Sequence, residues 1–357
     1  MRLSPIPGVL GSVLTGAVLA CGGGGADGGG AAVATNLTGA GATFPFPLYD
    51  RWFQDYARAT GIRINYQSIG SGGGIRQFMQ GTVDFGASDG PMTDEQIAAV
   101  DGNVLHFPTI IGADVLTYNL PALGTARLRL DPAAVADIFL GSITRWNDPR
   151  LVALNPGVPL PDRDLIVVHR SDGSGTTYVF TDYLFKVSQE WATRVGRATS
   201  VEWPIGLGGR GNEGVTQQVK QLEGTIGYVE LVYALSNNLP VARIQNAAGE
   251  FVEPTLESVT AAAASAAMDA DTDFRVSITN PPGERSYPIA SYTWLLVAPR
   301  HPDPAKLAAI KAFLEWMLTP EAQGIARDLG YSPLPPDVAG FVRTRVEALR
   351  GAETPAP

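Results

Sequence analysis

Three times along this chain a strand-like run ends in glycine with serine or threonine and opens into a helix-like run: GAGATFPFPLY (39–49), IGSGGGIRQF (69–78) and SDGSGTTYVF (171–180). Backbone N–H groups at a helix N-terminus lack partners, glycine lets them approach a ligand closely, and the helix dipole favours negative charge there. Three such ends brought together would make a cradle for an anion. In open α/β sheets ligands bind outside the carboxyl ends of strands, and that is where all three junctions fall. The first two junctions also have plainer readings, as a tight turn capped by Thr43 with Pro45 starting the helix, and as a flexible loop with Ser71 as an N-cap.

The rest of the chain fits such a scaffold. Strand-like segments at 36–40, 62–68, 83–88, 165–171, 225–231 and 289–299 alternate with helix-like segments at 47–60, 74–80, 93–100, 132–141, 175–187 and 304–318. Apolar residues recur at helical spacing in Leu48, Trp52, Phe53 and Tyr56, and Thr93 with Gln96 fits a capping box. The expected class is α/β with parallel strand pairs, 304–318 as the finishing helix and a weakly patterned Ala-rich stretch at 258–269. At 357 residues the chain exceeds one ordinary core and points to two lobes.

The first twenty residues carry one charge, Arg2, then a small-residue apolar stretch, and VLAC at 18–21 ends in the sole cysteine of the chain. This pattern predicts a signal peptide over 1–20 and a lipidated Cys21, since VLAC resembles a bacterial lipobox and a lone cysteine forms no internal disulfide. GGGGADGGG (22–30) follows as a flexible tether. Removing residues 1–20 loses Arg2 alone and takes the formal net charge from −9 to −10. Such an acidic chain is a poor nucleic-acid partner. Elsewhere no apolar run reaches the roughly 18 residues a membrane span needs.

Two further residues sharpen the anion reading. Arg170 stands at a strand end beside Ser174, Gly175 and Thr176, and its planar fork suits an oxyanion. Asp89, in FGASDGP (85–91), looks misplaced in an anion site. An ionised carboxylate only accepts hydrogen bonds, so it tolerates an oxyanion that brings a proton, as phosphate does at neutral pH and sulfate does not. Its plainer reading is a turn or capping aspartate.

Catalytic readings are weaker. His169, Asp172 and Ser174 supply the side chains of a hydrolase triad but lie within six residues, and the GxSxG elbow is absent because 172 and 176 are Asp and Thr. Three scattered histidines, His106, His169 and His301, and one cysteine build no zinc site. No enzyme activity, cofactor or metal is expected, and Trp52, Trp191 and Trp316 read as core packing.

Taken together, TGAGATFPFPLY (38–49), INYQSIGSGGGIRQF (64–78), TVDFGASDGPM (82–92), FPTIIGADVLTYN (107–119), LGSITRWNDP (140–149), HRSDGSGTTYVFTDYL (169–184), WPIGLGGRGNEGV (203–215) and GTIGYVEL (224–231) resemble the periplasmic phosphate-binding proteins of bacterial high-affinity phosphate ABC importers. The resemblance implies a type II periplasmic-binding-protein fold, two α/β lobes joined by two hinge crossovers near 108–110 and 282–286. Lobe 1 would comprise 35–108 plus 284–350 and lobe 2 109–283, after a tether at 21–34 and before a tail at 351–357. It implies phosphate ligands at Thr43 and Phe44 (backbone N–H groups and the Thr43 hydroxyl), Ser71, Asp89, Arg170, Ser174, Gly175 and Thr176, with Asp172 orienting the arginine. Implied partners are inorganic phosphate and the permease and ATPase of an importer, outside the cytoplasm. The alternatives are a receptor for another tetrahedral oxyanion, sulfate or molybdate, or a secreted phosphatase. The glycine-rich segment 203–214 reads either as a docking or rim loop or as a structural helix cap.

Overall fold

The computed structural model describes residues 33–349 apart from 101, 266, 267 and 269–272. The signal-peptide, Cys21 and tail expectations lie outside the described residues, as does most of the tether.

Eleven strands are described: β1 Asn36–Gly41, β2 Arg63–Ser68, β3 Phe85–Ser88, β4 Leu105–Tyr118, β5 Arg129–Leu130, β6 Ile166–Arg170, β7 Leu207–Gly209, β8 Thr225–Glu230, β9 Arg243–Gln245, β10 Phe251–Val252 and β11 Ala290–Val297. The first seven helices are α1 Phe46–Thr60, α2 Ser71–Met79, α3 Asp94–Ala98, α4 Pro132–Leu140, α5 Pro149–Leu154, α6 Gly175–Val187 and α7 Gln189–Arg194. The remainder are α8 Gly211–Gln221, α9 Leu231–Ser236, α10 Leu256–Ala264, α11 Pro304–Met317, α12 Pro320–Leu329 and α13 Pro336–Glu347.

Eight strands form one curled sheet in the order β2-β1-β3-β11-β4-β8-β6-β7, and β10-β9-β5 form a small second sheet. The outer pairs, β1 with β2 and β3, and β6 with β7 and β8, are parallel as expected. The three central pairings, β3–β11, β11–β4 and β4–β8, are antiparallel, which the alternation of strand and helix does not reveal. β4 is 14 residues long and buried almost throughout. It pairs with β11 up to Ala113 and with β8 from Asp114, so a single strand passes from one half of the sheet to the other.

Helix formation follows local chemistry. In α1 the expected face, Leu48, Trp52, Phe53 and Tyr56 with Tyr49, is buried, and Gly61 closes the helix in the left-handed conformation that glycine adopts without strain. The Trp52 indole donates to the carbonyl of Ala322 in α12, and Phe53 and Tyr56 pack on Phe313 of α11. The Thr93–Gln96 capping box forms with both reciprocal bonds. Among the described residues no helix is long and apolar enough to cross a membrane.

Three expectations change. The helix expected over 74–80 begins at Ser71, because Gly72, Gly73 and Gly74 are held helical by packing despite their poor propensity. The segment 304–318 does not finish the chain: α12 and α13 follow, each announced by a proline at its first turn. α12 buries only Ala322 and Ala326, too small an apolar signal to read. The Ala-rich stretch is a helix from 256 to 264, capped by Thr255.

Gly74 shows why the α2 glycines are needed. A Cβ there would stand 2.4 Å from the Gly41 Cα and 2.6 Å from the Ala40 carbonyl oxygen, both backbone atoms. α2 therefore lies directly on β1, and Gly74→Ala is expected to lower the unfolding free energy by about 1–3 kcal/mol through overpacking, read as a lower denaturant midpoint at unchanged slope.

Candidate anion-binding site

The three junctions found in the sequence meet in the fold. β1 runs into the turn that holds Thr43 and Phe44 ahead of α1, Ser71 opens α2, and β6 ends at Arg170 before Ser174 caps α6. Ser174 Oγ accepts from the Thr177 N–H at 3.0 Å, leaving Gly175 and Thr176 as the first residues of α6, whose N–H groups point off the helix end. Gly175 is pressed against the other half of the site. A Cβ on it would lie 2.4 Å from Ser71 Oγ and 2.5 Å from Asp89 Oδ2, so no larger residue fits while Ser71 and Asp89 keep these positions.

Arg170 is buried with its fork fixed. Its Nε and Nη2 donate to the two oxygens of Asp172 at 2.8 and 2.6 Å, and its Nη1 donates to Thr176 Oγ1 at 3.2 Å. Asp172 also accepts the Gly211 N–H at 3.0 Å. Against the cost of burial, the guanidinium holds the Asp172 carboxyl below the usual carboxylate range.

Asp89 is 1% exposed. Its Oδ1 accepts from the Thr293 hydroxyl at 2.8 Å, its Oδ2 from the Ser71 hydroxyl at 3.3 Å, and its backbone N–H donates to Ser71 Oγ at 3.2 Å. Burial pushes its pKa up to about 7, with Thr293, Arg170 and Ser71 pulling the other way. It is neither a cap nor a turn aspartate.

Thr43 differs from its plainer reading as a cap: α1 has no side-chain cap, and the Thr43 hydroxyl instead accepts from Asn212 Nδ2 at 2.9 Å. Phe44 buries its ring beneath Gly112, and its carbonyl accepts from the Tyr331 hydroxyl at 2.8 Å. Ser71 is the first helical residue of α2, with Gly70 as the cap.

Asn212 is the residue that sequence reasoning missed. It is fully buried at the start of α8, donates from Nδ2 to Thr43 Oγ1 and to Thr176 Oγ1 (3.2 Å), and accepts the Glu230 N–H at 3.1 Å. Thus α8 is a fourth helix whose N-terminus faces the same place. Within the segment 203–214, Gly211 and Asn212 at the start of α8 are buried while 206–208, Arg210 and Glu213 are exposed, and only the glycines before Arg210 offered a signal.

The hydrolase reading finds no geometry. The His169 ring stacks on Trp203 at 4.8 Å and its Nδ1 bonds the Arg170 carbonyl, while Ser174 Oγ serves the Thr177 N–H. Trp52 and Trp191 are fully buried and Trp316 partly so, all three in aromatic packing.

A family model described as a PBP superfamily domain matches residues 26–321. The protein named phosphate-binding protein PstS from Haemophilus influenzae is 45% identical over 314 residues, 88% of this chain and 93% of that protein. One of the same name from Xylella fastidiosa is 47% identical over 302 residues, 85% and 82% of the two chains. The crystal structure of a phosphate-binding protein from Stenotrophomonas maltophilia superposes with a TM-score of 0.68 at 20% identity, covering 87% of this chain and 94% of that one. The architecture is that of the PBP superfamily, and the chain belongs, within it, to the family of the PstS phosphate-binding proteins.

Asn212→Ala is expected to cost about 1–3 kcal/mol of unfolding free energy, because the buried Glu230 N–H loses its acceptor and Thr43 and Thr176 lose a shared donor. Urea titration reads this, and a cost no larger than that of an exposed substitution would deny Asn212 its bridging role.

Proposed function

We propose that this chain binds inorganic phosphate outside the cytoplasm and delivers it to an ABC importer, without chemical turnover. The observation that carries the reading is Asp89: a buried proton acceptor set into a site otherwise built of donors. Thr43 and Phe44 would offer backbone N–H groups and a hydroxyl, Ser71 its hydroxyl, and Ser174, Gly175 and Thr176 the start of α6. Arg170, oriented by Asp172, would supply the charge. Phosphate then matches the donors with its unprotonated oxygens and Asp89 with its proton. Sulfate sets acceptor against acceptor in a dry site.

The mechanism is closure of two lobes over a desolvated anion. We assign residues 35–108 plus 284–350 to one lobe and 109–283 to the other, with crossings near 108–110 and 282–286. In support, β4 carries the chain between the two sheet halves, and the Gly72 N–H donates to the Gly173 carbonyl at 3.0 Å from one half to the other. Tyr233 reaches the Thr43 carbonyl at 2.6 Å in the same way. Contacts of this kind fit the lobes meeting across a cleft. A chain of net charge −9 can hold an anion because the local field of helix ends and Arg170 outweighs distant, screened surface charge.

Calorimetric titration of the mature, ligand-cleared protein with phosphate and then sulfate tests the reading. One-to-one phosphate binding with no response to sulfate at neutral pH is expected. Asp89→Asn should weaken that discrimination, and Arg170→Ala should weaken both ligands. Because Asp89 itself gains a proton below about pH 7, rejection of sulfate should relax as the pH falls through that value. An Asp89→Asn protein with unchanged affinity and selectivity would sink the proton-matching argument.

We further propose that Cys21 carries a lipid that holds the mature chain at the membrane surface through the glycine tether. Replacement Cys21→Ser should move the protein to the soluble fraction and remove the lipid mass from its N-terminal peptide. Retention at the membrane would leave Cys21 without that role.

A further inference from the structure

β4 and β8 set Asp114 and Glu230 directly opposite one another across an antiparallel pair. They are 1% and 0% exposed. Among the described residues neither carboxyl oxygen of Asp114 has a hydrogen-bond partner, nor does Glu230 Oε1. Glu230 Oε2 accepts from the Val232 N–H at 2.9 Å and from the Tyr331 hydroxyl at 3.2 Å. Two carboxylates facing each other in a dry interior, with three of four oxygens unserved, do not both stay ionised.

The pair backs onto the candidate site. The Glu230 N–H is held by Asn212, whose amide nitrogen serves Thr43 and Thr176, and Tyr331 ties Glu230 to the Phe44 carbonyl. The groups that face the pair are Asp89 after β3, Arg170 at the end of β6, Tyr228 on β8, Tyr233 on α9, Tyr287 before β11, and Tyr331. Of these Arg170 alone is cationic, and Asp172 already occupies its fork. Burial, and then the charge of Glu230, push Asp114 well above the usual carboxylate range. Burial does the same to Glu230, with Asp89 adding to it.

We infer that Asp114 and Glu230 are a proton-holding pair behind the anion seat, and that phosphate binding draws further protons from solvent onto them. The coupling rests on the phosphate reading. A bound dianion adds negative charge beside both carboxyls, raises their proton affinity, and is held less tightly once the pair ionises. The direction is fixed: both acids bind protons more strongly in the folded, liganded protein than in water, so affinity is lost as the pH rises through their titration.

The test is calorimetry of the mature protein with phosphate from about pH 5.5 to about pH 9, in buffers of different ionisation enthalpy, for the wild type, Asp114→Asn and Glu230→Gln. Phosphate ionisation and Asp89 are common to all three and cancel in the comparison. Expected is a larger proton uptake per phosphate in the wild type, and an affinity ratio of variant to wild type that grows about tenfold or more from the acid to the alkaline end. Equal proton counts and parallel pH profiles would overturn the inference. If Glu230→Gln fails to fold, Asp114→Asn carries the comparison alone. A wild type that binds no phosphate would sink the phosphate reading and the coupling with it. The pair itself is read separately in ligand-free protein: its thermal midpoint should fall as the pH rises above the ordinary carboxylate range, and fall less in Asp114→Asn. Equal slopes there would remove the proton-holding pair.

Discussion

The Arg170 guanidinium organises the centre of this molecule. A buried charge is tolerated only when paired and hydrogen-bonded, and each contact that satisfies Arg170 also fixes an element. Asp172 holds the fork and, through its bond to the Gly211 N–H, draws the start of α8 against the end of β6. Thr176 accepts from the remaining nitrogen and sets the first turn of α6. The Arg170 N–H donates to the Tyr228 hydroxyl, which also bonds Thr177, so β8 and α6 are registered on the same residue. The end of β6 and the starts of α6 and α8 are thereby fixed relative to one another.

Acidic groups crowd around that one cation, and their differing environments give them different work. Asp172 keeps its charge because it touches the guanidinium. Asp89 is served by two hydroxyls and sits near the middle of the physiological range. Asp114 and Glu230, opposite each other and buried, with the nearby Arg170 already paired to Asp172, are pushed toward the neutral form. The same side-chain chemistry therefore shows three different proton affinities within one region, separated only by what each carboxyl touches.

The three glycine-rich junctions were legible in the sequence because their requirement is local. Glycine is needed where backbone meets backbone, as at Gly74, or where a side chain would strike Ser71 and Asp89, as at Gly175. The expectation that Arg170 stands among Ser174, Gly175 and Thr176 also rested on neighbours in the chain. Asn212 was not legible, since its partners Thr43, Thr176 and Glu230 lie 169, 36 and 18 residues away and nothing in GRGNEG marks one asparagine for burial. The antiparallel centre of the sheet was hidden for a similar reason. Whether two strands run parallel depends on where a distant segment inserts, and alternation of strand and helix is silent on that.

That insertion has a bearing on how the molecule is made. In the sheet β11 lies between β3 and β4, yet it comes some 170 residues after β4 in the chain. Until Val297 has emerged, Phe85–Ser88 and the first part of β4 have no strand to pair with on their shared side, and both edges stay open. Closure of the sheet must wait for most of the chain, a strongly non-local step. A polypeptide ordered in this way cannot complete its core while still being synthesised. Its two sheet halves are joined late, and until then the open edges of β3 and β4 are the places where the chain can pair wrongly.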